Sequence, residues 1–377
     1  MVLAPDFSCP TKVYTQTPFV DVVCDHVDRR SWILVTSHGW LARGAVAKLA
    51  DRAGKPDAMI SDVRENPMLA DVDRMIADIP NVDVIVALGG GSVIDAAKAV
   101  VAGIALRDAD VSLAQHLVRG TALPDDFSPT PVIAVPTTAG TGSEVTRWAT
   151  IWGEDKQKLS LSHANLFPAA AVLDPHLCLS MPNWLTLATG LDAISHAMES
   201  VWNKNHTPLT DRFAASAIET LYGDLKKAVD DPANFEVRRR VQVAATQAGM
   251  AISATKTALS HSISYPFTSF FGVPHGFACS FTLPEVSRFN LHEDSERLRP
   301  IANGLGCDVE EIPTVIDEWF GELDVGHYMA DFFRGASLSK IEDHLITPAR
   351  AGNNLRTVSI SEAAALAEVS LKRFVAA

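Results

Sequence analysis

The chain has no run of about 18 apolar residues, so it offers no segment able to span a bilayer as a helix. Its first residues, MVLAPDFSCPTKVY, lack a basic stretch followed by a long apolar one, so no signal peptide is expected. Cysteine is sparse. Cys9, Cys24, Cys178, Cys279 and Cys307 are odd in number and form no C-x-x-C pair. That usage argues against a disulfide framework and for a reducing cytoplasm. Basic charge is also short: 32 Lys and Arg stand against 45 Asp and Glu, a net charge of −13. The acidic balance argues against nucleic acid or an anionic membrane as partner. It does not forbid an anionic substrate, because a local basic pocket can outweigh the global sign. Internal repeats and low-complexity tracts are missing as well.

What is present suits a globular protein with two cores. The length is 377 residues, 47% of them hydrophobic and 20% charged. Up to about residue 180, β-rich runs alternate with helical ones. WILVT is the first strand, followed by a helix near 41–53, a weak strand near 57–61 and a helix from Met68 to Ile79. Strands follow at 83–88 and 132–135, and Ala170 to Asp174 reads as another. Such alternation predicts a parallel sheet with crossover helices. After MPNW (181–184) strand patterns stop and helical ones dominate, at 184–203, 208–229, 234–253 and on to the C-terminus. The expected organisation is an α/β dinucleotide-binding domain over 1–181 and an all-helical domain over 182–377.

Two glycine-bearing loops end strands of the first domain. In VDVIVALGGGSVIDAAKAVVA, Gly89, Gly90 and Gly91 lead through Ser92 into a helix containing Asp95 and Lys98. Strand, glycine turn and helix start together point backbone N–H groups and a helix dipole at an anion. The loop is not a Rossmann fingerprint, since G-x-G-x-x-G fails at Ile94, and no G-K-[ST] follows to make a P-loop. In VIAVPTTAGTGSEVT, Thr137, Thr138, Thr141 and Ser143 offer hydroxyls, and Gly140 and Gly142 allow close backbone approach. Two such loops at strand ends predict a cofactor with two or more phosphates.

The helical half carries candidate metal ligands. Asp192 and His196, in TGLDAISHAMES, are four residues apart and share a helix face. Alone, such a pair is an ordinary helix feature. Together with His261 and His275, in HSISYPFTSFFGVPHG, it offers three nitrogens and one oxygen. That set suits zinc, iron(II), nickel or manganese better than calcium or magnesium, and can leave a position open for a substrate oxygen.

In this order and separation, GGGSVIDAAKA, PTTAGTGSEVT, DAISHAMES and HSISYPF…GVPHG resemble the iron-containing (group III) alcohol dehydrogenases, from about residue 12 to the last helices. The resemblance implies a dehydroquinate synthase-like fold in which a divalent metal (Fe2+ or Zn2+, alternatively Ni2+ or Mn2+) and NAD(P)H meet between the domains. It implies Asp192, His196, His261 and His275 as metal ligands. Gly90, Gly91, Ser92, Thr137 and Thr138 would hold the phosphates and adjacent ribose, with Asp95, Lys98, Thr141 and Ser143 in the same loops. Lys158 matches a lysine that reaches the ribose. Two positions depart from the family pattern. Ser37 and His38 follow the first strand where many members carry an acidic residue on the adenosine ribose, so NADPH is expected to be accepted beside NADH. Tyr265 stands where many members carry a histidine proposed as a proton relay.

The expected activity is reversible reduction of a small aldehyde to an alcohol by a cytoplasmic homodimer. The motifs look most like the branch that converts phosphonoacetaldehyde to 2-hydroxyethylphosphonate. Arg147, Lys204, Lys256 and Arg350 are the candidate cations for the phosphonate. Alternatives are a general short-chain alcohol or lactaldehyde dehydrogenase, a maleylacetate reductase and, in a different class, a sugar-phosphate cyclase.

Overall fold

The computed structural model describes residues 6–107, 109–154, 157–333 and 338–375. They form two compact units. One comprises Cys9–Thr138 and Ser143–Cys178; the other comprises the chain from Leu179 onward with Ala139–Gly142 and residues 6–8.

The first unit is built on strands β1 (Lys12–Tyr14), β2 (Trp32–Val35), β3 (Ala58–Ile60), β4 (Val84–Gly89) and β5 (Val132–Pro136). Three more follow: β6 (Trp148–Trp152), β7 (Lys158–Ser162) and β8 (Ala170–Val172). Six of them make one sheet in the order β1-β8-β5-β4-β2-β3, every pairing parallel. β2 and β4 are buried along their whole length. That is why WILV and VIVALG read as unbroken apolar runs: a parallel sheet covered on both faces has no wet side. Ile33, Val35, Ile85 and Ala87 point into one core with the helix Gly91–Ala105. Trp32, Leu34, Val84, Val86 and Leu88 point into the other, against the helices Phe19–Val27 and Ala45–Ala53. The period of two divides a single strand between two cores.

The structure adds elements to the sequence expectation. A short strand, β1, precedes WILVT, so the GGGS loop follows the fourth strand rather than the third. The expected helix near 41–53 is two helices, His38–Ala42 and Ala45–Ala53, parted at Gly44, whose φ is +75°. β6 and β7 form an antiparallel hairpin outside the main sheet.

The second unit is helical, and among the described residues it holds no strand ladder. Its long helices are Asn183–Val201, Pro208–Asp230 and Phe235–Thr255, within two residues of the expected spans. Thr207 starts the middle one with a capping box, and Pro208 at its first position loses no N–H that the helix needs. Leu259–Phe271, His275–Ser280 and Leu283–Leu291 follow, then shorter helices to Ile360–Val375. Met198, Trp202, Ala214, Ile218, Leu225 and Ala248 lie in one continuous apolar core. No helix among the described residues is long and apolar enough to cross a membrane.

Candidate metal and nucleotide sites

The four candidate ligands converge on one carboxylate oxygen. Asp192 Oδ1 lies 3.5 Å from His196 Nε2, 3.5 Å from His261 Nε2 and 3.7 Å from His275 Nε2. Asp192 and His196 leave the same face of Asn183–Val201, as their spacing requires. His261 comes from the first turn of Leu259–Phe271, and His275 opens the next helix. Gly276 lets that last approach happen, because a Cβ there would meet the Ala188 carbonyl oxygen at 1.7 Å. The GVPHG motif therefore seats one helix against the backbone of another.

These groups fit a divalent ion. The Nε2 of His261 is buried and has no hydrogen-bond partner, yet it faces a carboxylate and two further imidazoles. An orphaned buried nitrogen of this kind calls for an acceptor of its lone pair or proton. Asp192 is held well below the usual carboxylate range. Burial opposes this, and the charges of His196, His275 and His261 outweigh it. Burial pushes the His196 imidazole down, towards the neutral form a ligand needs. His275 is the most open member, its side chain 37% exposed against 2–6% for the others.

Two further residues complete the cluster and were not among the sequence candidates. Glu199 is fully buried and accepts from His261 Nδ1 at 2.7 Å. It also accepts from the backbone N–H groups of Ala258 (2.8 Å) and His261 (3.1 Å). A carboxylate on Nδ1 fixes the imidazole tautomer and leaves Nε2 free for a metal. Burial alone would depress His261, but the Glu199 and Asp192 carboxylates carry it up to about 9. Asp192, His196 and Glu199 stand at i, i+4 and i+7, so the helix period was the signal for Glu199. Cys279, one turn after His275, donates to Asp192 Oδ1 and to the Gly276 carbonyl, both at 3.4 Å. Its ligand atom lies within 4.8 Å of those of Asp192, His261 and His275. Burial raises its pKa strongly, which keeps it a neutral thiol that orients the carboxylate.

Tyr265 lies one turn beyond His261 on the same helix, and its hydroxyl accepts from Arg350 Nε at 3.1 Å.

In the α/β unit the two glycine loops lie side by side, because β4 and β5 pair in register with Gly89 opposite Pro136. Gly90 precedes the helix Gly91–Ala105, which starts two residues earlier than the sequence suggested. Thr137 donates its N–H to the Gly89 carbonyl, and the Thr138 side chain lies against Gly90. The Ser92 hydroxyl accepts from the Asn66 N–H. Glycines, threonines and a helix start thus gather at the carboxyl ends of two adjacent parallel strands, where such sheets bind phosphates.

Asp95, Lys98 and Ser143, expected in the cofactor loops, share one hydrogen-bond network. Asp95 accepts from Ser143 Oγ (2.6 Å) and from the Thr150 N–H (2.8 Å). Lys98 is fully buried and donates to Ser143 O, Ser143 Oγ, Thr146 O and Trp148 O, at 2.7–3.0 Å. This network fastens the second glycine loop and β6 to the helix from inside. Likewise Gly142, with φ +62°, approaches a helix rather than a ligand: a Cβ there would meet Gly249 Cα at 2.5 Å. Thr141 lies in that same segment, packed with the helical unit. Lys158 opens β7, opposite Trp152.

Ser37 stands at the N-cap position of the helix His38–Ala42 and forms an isolated backbone bridge with Asp62. A carboxylate-bearing residue therefore borders it, two residues beyond the end of β3. The Ser37→Asp variant should move the kcat/KM ratio towards NADH, by repelling a 2′-phosphate. In the unmodified protein the two cofactors should lie within about tenfold of each other, ~1.4 kcal/mol. A strict NADH preference before mutation would show that another residue, Asp62 first, selects the cofactor.

Glycine loops at the ends of parallel strands and an Asp/His3 cluster on helices suit a metal- and nucleotide-dependent enzyme. Residues 10–175 match the family described as iron-containing alcohol dehydrogenase, and residues 186–331 match the Fe-containing alcohol dehydrogenase family, C-terminal. Phosphonoacetaldehyde reductase of Streptomyces viridochromogenes is 38% identical over 263 residues, 68% of this chain and 66% of the relative. Lactaldehyde reductase of Escherichia coli is 33% identical over 307 residues, 77% of each chain. Among solved structures, sulfoacetaldehyde reductase from Bifidobacterium kashiwanohense in complex with NAD+ superposes with a TM-score of 0.88 at 29% identity, over 98% of this chain and 99% of that one. The chain belongs to the iron-containing alcohol dehydrogenase family and is an NAD(P)-dependent oxidoreductase.

Proposed function

We propose that the protein reduces phosphonoacetaldehyde to 2-hydroxyethylphosphonate with NADH or NADPH, using a divalent ion held by Asp192, His196, His261 and His275. The observation that carries the chemistry is the convergence of three Nε2 atoms on Asp192 Oδ1 at 3.5–3.7 Å. When bound, the ion would supply Lewis acidity at the aldehyde oxygen and the nicotinamide a hydride for its carbon. The chain does the rest. Glu199 holds His261 in one tautomer, and Cys279 holds the Asp192 carboxylate in one orientation. His275, the exposed member, marks the side open to substrate. The Tyr265 hydroxyl supplies the proton that completes the alcohol, with water replacing it. Gly90, Gly91, Ser92, Thr137, Thr138 and Lys158 hold the nucleotide in this reading.

Two relatives support the substrate. One is named for phosphonoacetaldehyde, the other for sulfoacetaldehyde, both two-carbon aldehydes ending in a tetrahedral oxyanion. The five cysteines form no disulfide with one another, which supports a reducing cytoplasm, and a homodimer is the assembly we infer.

The deciding assay is a panel of aldehydes with each cofactor. Phosphonoacetaldehyde should exceed propanal in kcat/KM by more than about tenfold, because remote binding energy places the reacting carbonyl. Equal values would leave a general alcohol or lactaldehyde dehydrogenase, and phosphate release from a sugar phosphate without net NADH consumption would point to a cyclase.

A further inference from the structure

Four cations were candidates for the anionic end of the substrate, and the structure separates them. Arg147 lies in the nucleotide unit with its guanidinium over the Trp148 ring, 5.5 Å from the centroid. Lys204 is exposed, and its Nζ donates to the Gly352 carbonyl at 3.3 Å. Lys256 is exposed at the end of Phe235–Thr255. Arg350 differs from all three. Like Arg147 it is half-buried, but its Nε donates to the hydroxyl of Tyr265, one helical turn from His261.

Other arginines of the unit are used differently. Arg239, Arg240, Arg288, Arg297, Arg299, Arg356 and Arg373 each pair with a carboxylate. Arg238 is buried on the Pro232 and Met181 carbonyls and the Thr186 hydroxyl, and Arg212 is exposed. Arg350 has no carboxylate within ion-pair distance among the described residues, and its two terminal amino groups carry no hydrogen bond there. An arginine held by Nε alone presents its outer fork, the geometry that takes two oxygens of a phosphonate or sulfonate at once.

Its place is fixed by the backbone. The Ser262 hydroxyl, next to His261, donates to the Leu345 carbonyl (2.9 Å) and accepts from the Thr347 N–H (2.7 Å). Asn353 Nδ2 donates to the Thr257 carbonyl at 2.9 Å. Both ends of the short helix Pro348–Ala351, which carries Arg350, are thereby tied to the chain that supplies His261. Residues four apart on a helix share a face, with Cβ atoms roughly 5–6 Å from each other, so Tyr265 leaves its helix on the side that carries His261.

We propose that Arg350, braced by Tyr265, anchors the tetrahedral oxyanion at the far end of a two-carbon aldehyde and so sets substrate specificity. The inference rests on the substrate reading above. It names one residue for a recognition chemistry that phosphonate and sulfonate share, and the assay tells the two apart.

The test measures kcat/KM for phosphonoacetaldehyde, sulfoacetaldehyde and propanal in the metal-loaded enzyme, for the unmodified protein and for Arg350→Met, Arg350→Lys and Lys204→Met. Calorimetric titration with 2-hydroxyethylphosphonate gives a readout independent of turnover. The ratio of charged to uncharged aldehyde should fall at least tenfold in Arg350→Met, recover in part in Arg350→Lys, and stay unchanged in Lys204→Met. The calorimetric affinity should fall in parallel, and whichever oxyanion loses more identifies the one the fork is built for. An unmodified enzyme indifferent to charge would overturn the substrate reading and the anchor with it. An unmodified enzyme that discriminates, with Arg350→Met keeping the same ratio and the same affinity, would overturn the anchor alone.

Discussion

His261→Ala abolishes divalent-ion binding and nearly all turnover while nucleotide binding persists. The expectation follows from what surrounds the residue. His261 provides one of three nitrogens on the Asp192 carboxylate, and among the described residues the remaining donor beside the cluster is the Cys279 thiol, which its burial keeps protonated. Removing the imidazole also leaves the Glu199 carboxylate buried without its strongest donor, although two backbone N–H groups remain. Glu199→Ala is the graded companion. It keeps all four ligands and removes only the group that orients one, so metal affinity should fall about 10–100-fold, less than in His261→Ala. Metal content by mass spectrometry and affinity by chelator competition decide both. Full occupancy in His261→Ala would refute the ligand assignment, and unchanged affinity in Glu199→Ala would reduce Glu199 to a packing residue.

Lys98→Ala should be the most destabilising single change in the nucleotide unit. The ammonium is fully enclosed and satisfies the carbonyls of Ser143, Thr146 and Trp148 together with the Ser143 hydroxyl. Burial drives its pKa down to about 8, against the pull of Asp95 and Glu144. Alanine would take the ammonium donor from those acceptors and a buried counter-charge from Asp95 and Glu144. Breaking a buried charged group in this way costs about 3–5 kcal/mol. A urea titration followed by a probe in the α/β unit should show a clearly lower midpoint, with NADH affinity falling as the second glycine loop loses its internal fastening. A midpoint equal to that of the unmodified protein would show that water or a rearranged Asp95 takes over the role.

Short-range pattern made much of this readable in the sequence. WILV and VIVALG announce covered strands because both faces of a parallel sheet are dry, and the helix period places Asp192 and His196 together. Glu199 obeys that same period and was overlooked because it sits in a motif already explained by its neighbours. Cys279 gives no chemical signal until His275 and Asp192 are seen beside it. The hairpin β6–β7 does alternate, with Ala149, Ile151, Leu159 and Leu161 buried, but it lies between two stronger motifs. Gly142 was the hardest to read. A glycine admits a ligand or another backbone equally well, and only the partner, Gly249, tells which.

That last pairing sets an order of events on the ribosome. The segment Ala139–Gly142 is made early, between strands of the first unit, yet its packing partners are Thr189 and Gly249 in later helices. At roughly 5–20 residues per second, the emerging chain holds this loop unpartnered for several seconds after the strand before it is complete. The first sheet can therefore form during synthesis, but its second glycine loop is finished only once the helix carrying Gly249 has appeared.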